Sequence, residues 1–345
     1  MTDLASRNAR YPAPPIAEPG VATDAATDHA FRHVVALSSG RSGSNRLLSL
    51  FDQHPMTNCR NEIDAASPGF MALPRPDDPD ALPQDFMDRW VGLVADSRLR
   101  RGRYDDRRMM MHKAYVTPVI GRAWHEVIGR TRVRRFMGIP VTRTEWPVLG
   151  MSVRSDMVDG IIPVLKLACD ASWFLGAHGA LTGQTVIHNI RDPRRYASSW
   201  YNRLVLDSDV DREALYRRVV AMAGPALTAY GRPAPAERYD MRALLTVELL
   251  NWRHFNERLF LGLRQSPRYA LVTYEETSKD RLGVARRVYE HANLDMDGKT
   301  LARIEGIENK IFAKPHTETL ESSLVEEVVA DILPGGPLAD LYLKP

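Results

Sequence analysis

The chain has 345 residues, 44% of them hydrophobic and 26% charged, an ordinary balance for a globular protein and enough to bury a core without covalent staples. Its formal net charge of +3 is too small to point to a nucleic-acid partner. Two cysteines, Cys59 and Cys169, without a paired Cys or Cys/His spacing, exclude a disulfide framework and a zinc site, and no stretch approaches the roughly 18 apolar residues that a membrane span needs.

Residues 1–30 are rich in Pro, Ala, Thr and Asp and contain no apolar signal-peptide core. They read as a flexible arm, followed by a single domain over 31–345, with the cytoplasm as the expected compartment. Apolar runs predict strands at 33–38, 108–112, 162–168, 185–190 and 269–273. Helical periodicity predicts helices over 44–54, 84–97, 117–129, 170–180, 194–204, 209–223, 241–264, 280–292 and 299–306. Short apolar strands alternating with helices predict an α/β fold whose parallel sheet is buried on both faces. Residues 65–83 are a Pro/Asp-rich loop, and 130–160 read as an insertion. The mixed charges of RLRRGRYDDRR at 98–108 read as solvated surface, and Trp124, Trp173, Trp200 and Trp252 as helix packing.

Two stretches carry chemistry. The first is VVALSSGRSGSNRLLSLF, residues 34–51: a strand, a turn of small residues, then a helix. Backbone N–H groups at such a helix start lack partners and sit at the positive end of the helix dipole, so they suit a phosphate. Gly40, Ser42, Gly43 and Ser44 let an anion approach the backbone, and Arg41 adds a fixed charge. The competing reading is a plain strand-to-helix turn capped by serine. No Lys-Ser/Thr follows Gly43, so the turn is not a Walker A loop.

The second stretch is TVIHNIRDPRRYASSWYNR, residues 185–203. Asp192 as N-cap and Pro193 at the first helical position start a helix after the strand. Ser199 and Arg203 share one face of it, and Arg191 stands at the strand end. Two cations and a hydroxyl suit a second phosphate. A capped helix with surface arginines is the alternative.

Together the two stretches resemble the sulfotransferases that use 3'-phosphoadenosine 5'-phosphosulfate. Arg41-Ser42-Gly43-Ser44 resembles that family's loop for the 5'-phosphosulfate, and Arg191 with Ser199 its site for the 3'-phosphate. The spacing is most similar to the branch of tyrosylprotein sulfotransferases and bacterial relatives. There a catalytic glutamate follows a His-Pro and a Cys; His54-Pro55, Cys59 and Glu62 stand at those places. Arg203, the Tyr274-Glu275 pair of LVTYEE and Lys314-Pro315 match further elements. Asn45 departs from the family, which has Ser or Thr there.

The resemblance implies a P-loop NTPase-like three-layer sandwich with a central parallel β-sheet. It implies transfer of a sulfuryl group to a hydroxyl, or less readily an amine, of a small-molecule or metabolite acceptor. The donor would be 3'-phosphoadenosine 5'-phosphosulfate and the product adenosine 3',5'-bisphosphate, with no metal. Arg41 through Arg46, Arg191, Ser199, Arg203, Tyr274 and Lys314 would hold the nucleotide, Arg41 the leaving phosphate, and Glu62 would be the general base. His112, expected at the end of a strand on the same sheet edge, is the rival base. Lys113 reads either as a surface lysine or as a contact to the sulfuryl group or the acceptor, and His188, a second rival base, reads more readily as pointing into or across the sheet. A catalytically inactive nucleotide-binding scaffold or sensor and a P-loop kinase are the alternative functions.

Overall fold

Alternate residues of a strand face opposite sides of a sheet, and the central strand here is apolar on both. A computed structural model describes residues 32–61, 84–101, 112–117, 146–147, 153–168, 184–202, 211–236, 238–307 and 320–342. Among them β1 (His33–Leu37) leads into α1 (Ser44–Phe51), followed by β2 (Thr57–Arg60) and α2 (Gln84–Ser97). The short strands β3 (Arg100–Arg101) and β4 (Trp146–Pro147) pair antiparallel. Next come β5 (Ile162–Leu167), β6 (Gln184–Ile190), α3 (Pro193–Tyr201), α4 (Arg212–Met222), α5 (Gly224–Ala229) and α6 (Met241–Leu263). The remainder is β7 (Tyr269–Thr273), α7 (Tyr274–Lys279), α8 (Arg281–His291), α9 (Gly298–Glu305), α10 (Ser322–Ile332) and α11 (Ala339–Tyr342).

Five strands form one parallel sheet in the order β2-β5-β1-β6-β7. Val34 and Ala36 face a layer built by Leu47, Leu50 and Phe51 of α1 and Val284, Val288 and Tyr289 of α8. Val35 and Leu37 face the other way, onto Trp90 and Val94 of α2 and Leu259 and Leu263 of α6. Helices therefore cover both faces, which makes three layers. This is the expected α/β architecture, and it explains why the strand sequences are apolar without alternation. Beyond the sheet, the 23-residue α6 continues into a helical core. There Leu244, Leu245 and Trp252 pack against Tyr196 and Trp200 of α3 and Val328, Val329 and Ile332 of α10.

The chain leaves β1 toward β2 on one side and leaves β6 toward β7 on the other. The carboxyl ends of β1 and β6, adjacent and hydrogen-bonded, are thus a topological switch point, where open α/β sheets form their ligand crevice.

The expected strand at 108–112 and the helices at 117–129 and 170–180 lie, apart from His112 and Thr117, outside the described residues, as do the arm and the 65–83 loop. His112 itself is in a 3-10 turn, not in a strand. Strand β2 is an addition to the expected elements. Its sequence, TNCR, is polar and yet wholly buried. Asn58 Nδ2 donates to Ser97 O at 2.9 Å, Thr57 Oγ1 to Phe51 O, and Arg60 to Ser97 Oγ. Each polar group is matched, so the burial carries no desolvation penalty of the kind that unpaired groups incur.

Candidate active site

After β1 the backbone turns sharply. Arg41 has φ 67° and Gly43 φ 80°, both in the left-handed region that non-glycine residues rarely enter. Asn189 of β6 holds the turn between them, its Nδ2 donating to Ser42 O at 2.7 Å. Gly43 is the N-cap of α1 and, as a glycine, offers no side chain to accept from the first-turn N–H groups. Helices α3, α4, α6, α7, α8 and α9 are each capped by an Asp or Thr side chain, whereas α5 and α10, like α1, have no side-chain cap. The start of α1 carries no acidic residue either; Arg46 N donates to Gly43 O at 2.9 Å, and the N–H groups ahead of it, at the positive end of the helix dipole, suit an anion.

The second motif arrives at the same point. Asp192 accepts from Arg194 N at 2.8 Å, with Pro193 opening the helix, as its residue types require. This sets Ser199 two turns along α3. Arg41 Nε donates to Ser199 Oγ at 3.3 Å, and Arg191 Nη1 donates to Arg41 O at 3.0 Å. Residues 150 and 158 positions apart are thus brought into one cluster. Burial lowers the Arg191 guanidinium from its usual value, while Tyr274 and Glu275 beside it act the other way.

Tyr274 lies between the loops. The Arg191 guanidinium stacks on its ring at 4.4 Å from the centroid, and Arg46 stands 5.8 Å away. The Cδ2–Cε2 edge of the ring fills the space where Gly43 has no side chain: a Cβ there would meet Cδ2 at 2.1 Å. The next residue, Glu275, accepts from Asp192 N at 3.2 Å, and burial raises its carboxyl above the ordinary range.

One residue of the site was not among the sequence candidates. Lys166, on the sheet face that carries α1, is 2% exposed and donates to Asn45 Oδ1 at 2.7 Å. Its signal in the sequence was a lysine inside an apolar strand, IPVLKL. One turn before Ser199, Tyr196 donates its hydroxyl to Glu248, whose carboxyl burial pushes up to about 7. Neither Tyr196 nor Glu248 was singled out from the sequence.

The other candidates are placed elsewhere. His112 bonds through Nε2 to Asp52 O at 2.8 Å. A carbonyl only accepts, so Nε2 carries the proton. Asp52 is the C-cap of α1, the opposite end from Gly43, so His112 stands a full helix length from the loop. Lys113 is neither a surface residue nor at the loop. It is 1% exposed, with Nζ 3.0 Å from Asp52 Oδ1 and donating to Asp52 O and His54 O at 2.8 and 2.9 Å. His188 is buried within the sheet, between Tyr269 Oη at 2.9 Å and Asn256 Oδ1 at 3.0 Å. Glu62, Arg203 and Lys314 lie outside the described residues. Among the described residues no group of three His, Cys, Asp or Glu is placed to hold a metal ion, and no helix is long and apolar enough to cross a membrane.

No protein-family model and no curated protein matches the chain. In structure it is similar to a sulfotransferase from Alicyclobacillus acidocaldarius, at 14% identity over 91% of this chain and 96% of that one, with a TM-score of 0.42. It is also similar to sulfotransferase STF9 from Mycobacterium avium, at 14% identity over 88% and 76% of the two chains and a TM-score of 0.40. A third likeness is to the sulfotransferase domain of the Synechococcus PCC 7002 olefin synthase, at 17% identity over 91% and 95% and a TM-score of 0.38. At TM-scores below 0.5 the functional reading rests on the site itself.

Proposed function

We propose that the protein transfers a sulfuryl group from 3'-phosphoadenosine 5'-phosphosulfate to a hydroxyl acceptor. The observation that carries the reading is the convergence of Arg41, Arg191 and Ser199 beside the uncapped start of α1. Two anion sites stand next to one another at the switch point. A nucleotide with phosphate groups at both the 3' and 5' positions matches that pair, and a single triphosphate chain does not. The residues fit such a ligand: amide donors, arginines, a serine hydroxyl and a buried lysine, with no carboxylate in the first turn of α1.

In this reading the first-turn N–H groups and Arg41 hold the 5'-phosphate, where negative charge grows as it leaves. Arg191 and Ser199 hold the 3'-phosphate. Lys166 and Asn45 supply further positive potential at the same helix end. The nucleotide brings the sulfuryl group and nothing else to the chemistry. Glu62 follows Asn61 in the chain, just past the end of β2, which runs parallel to β1 and ends on the same sheet edge. As general base it takes the acceptor's proton while the new O–S bond forms and the S–O bond to the 5'-phosphate breaks. His112, at the far end of α1, is not placed for that role.

The test is thermal unfolding with adenosine 3',5'-bisphosphate or with ATP and Mg²⁺, followed by transfer from sulfate-labelled donor to a panel of hydroxyl acceptors. Stabilisation by the bisphosphate alone, with label transferred, is the expected result. Stabilisation without transfer to any acceptor class indicates a binding scaffold, and stabilisation by ATP with Mg²⁺ indicates a kinase.

A further inference from the structure

Helix α7 has six residues and touches both anion loops at three places. The Tyr274 ring fills the hollow at Gly43 and carries Arg191 on its face. Glu275 accepts from the backbone of Asp192. Ser278 accepts from Arg46 Nη1 at 2.9 Å. The helix itself is fixed by a capping box in which Thr273 Oγ1 accepts from Glu276 N and the Glu276 carboxylate accepts from Thr273 N. A short helix with a reciprocal cap has little freedom to shift.

From this we infer that Tyr274 is a positioning residue whose ring sets the distance between the two anion loops, so that one bisphosphate nucleotide engages both at once. The inference rests on the nucleotide reading above and goes beyond it, because it gives Tyr274 a role other than touching the ligand. The ring packs its edge against a glycine of one loop and bears a guanidinium of the other on its face. A smaller residue leaves each loop able to meet a single phosphate, each relaxing to its own position. Two phosphates joined by one ribose do not allow both relaxations together. The hydroxyl takes no part in either contact, so phenylalanine preserves the spacing.

The experiment measures the affinity of adenosine 5'-monophosphate, adenosine 3'-monophosphate and adenosine 3',5'-bisphosphate by calorimetry. The proteins are wild type, Tyr274→Phe, Tyr274→Leu and Gly43→Ala, the last crowding the ring edge and also straining a left-handed backbone position, with unfolding midpoints recorded for each. For Tyr274→Leu and Gly43→Ala, the bisphosphate loses at least about fivefold more than the product of the two monophosphate losses, the lower range for coupling between sites. Tyr274→Phe shows no such excess. A bisphosphate loss equal to or below that product means the ring supports each loop singly, and the inference falls while the nucleotide reading stands. The same excess in Tyr274→Phe shows that the hydroxyl is a ligand contact, which also overturns it. If Tyr274→Leu fails to fold, Gly43→Ala with Tyr274→Phe decides by the same criteria. Wild-type protein that binds none of the three overturns both readings.

Discussion

Lys166 Nζ lies 2.7 Å from Asn45 Oδ1, and this contact decides which way the asparagine amide faces. An ammonium group only donates, so it must meet the amide oxygen, and the amide nitrogen is turned to the other side. Asn45 is the second residue of α1, so the amide and its N–H donors stand in the first turn, near the backbone donors. The departure from the Ser or Thr of the resembling family replaces one hydroxyl with an amide oriented by a buried lysine.

Asn45→Asp removes those donors and puts a carboxylate where an anion must sit. Binding of adenosine 3',5'-bisphosphate weakens by about 1.5–3 kcal/mol, the usual worth of a hydrogen bond to a charged group. Asn45→Ser restores a donor and is milder. Calorimetric titration of the two variants checks the order, and equal affinities would remove Asn45 from the site.

Glu62→Gln keeps size and hydrogen bonding but cannot take a proton. Bisphosphate affinity is unchanged, and turnover with labelled donor falls roughly 10²–10⁴-fold. His112→Ala leaves turnover per folded molecule intact, because His112 bonds to the C-cap of α1, far from Gly43. Normal turnover in Glu62→Gln would assign the proton transfer to another group.

Lys113→Met tests the structural role of the buried lysine. Asp52, 5% exposed, loses the cation 3.0 Å from its Oδ1. Removing one partner of a buried pair costs about 3–5 kcal/mol. Urea unfolding reads the loss, while turnover corrected for the folded fraction stays at the wild-type level. A drop in corrected turnover would place Lys113 in the chemistry.

Burial of three histidines should make the fold sensitive to mild acid. His54, His112 and His188 are each lowered from 6.5 to about 4, with burial the first cause and the charge of Lys113 adding to it for the first two. Between pH 6.5 and 4 the unfolded chain binds protons that the folded chain refuses. The histidine contribution is therefore full above about pH 6.5 and declines as the pH falls toward 4, each histidine contributing at most about 1.4 kcal/mol per pH unit, while Glu248, raised to about 7, offsets part of the decline by taking up a proton in the folded state. In His188→Gln the decline between pH 7 and 5 is shallower. Urea midpoints across that range measure the slope, and an unchanged slope would mean His188 is protonated in the native state.

The sequence predicted the strands at β1, β5, β6 and β7 and the helices at α2 and α6 closely, because each is a long or uninterrupted apolar pattern. It did not predict β2, since Thr, Asn, Cys and Arg carry no strand signal and are buried only because tertiary partners satisfy them. Helix α7 was missed for a related reason: YEETSK has no apolar face, and its helix is made by a cap and by contacts to two distant loops. The anion loops were legible because their chemistry is local, a glycine turn and an Asp-Pro helix start. Lys166 was not, because nothing in IPVLKL says that its fifth residue reaches a helix 121 positions earlier. His112 was misplaced because its position depends on α1, whose far end it holds.

The order of the sheet also bears on how the chain is made. Val34 pairs with Val164 and with Thr185, so the central strand waits for some 130 to 150 later residues, the gaps between those numbers, before it has a neighbour. β2 emerges early, but β5 separates it from β1 in the finished sheet. On the ribosome, at about 5–20 residues per second, β1 and the loop that follows it remain without a sheet to rest on for several seconds or more. The crevice between β1 and β6 consequently cannot be assembled before more than half of the chain has been made, and a nascent chain halted before β5 has its central strand exposed to chaperones and to other chains.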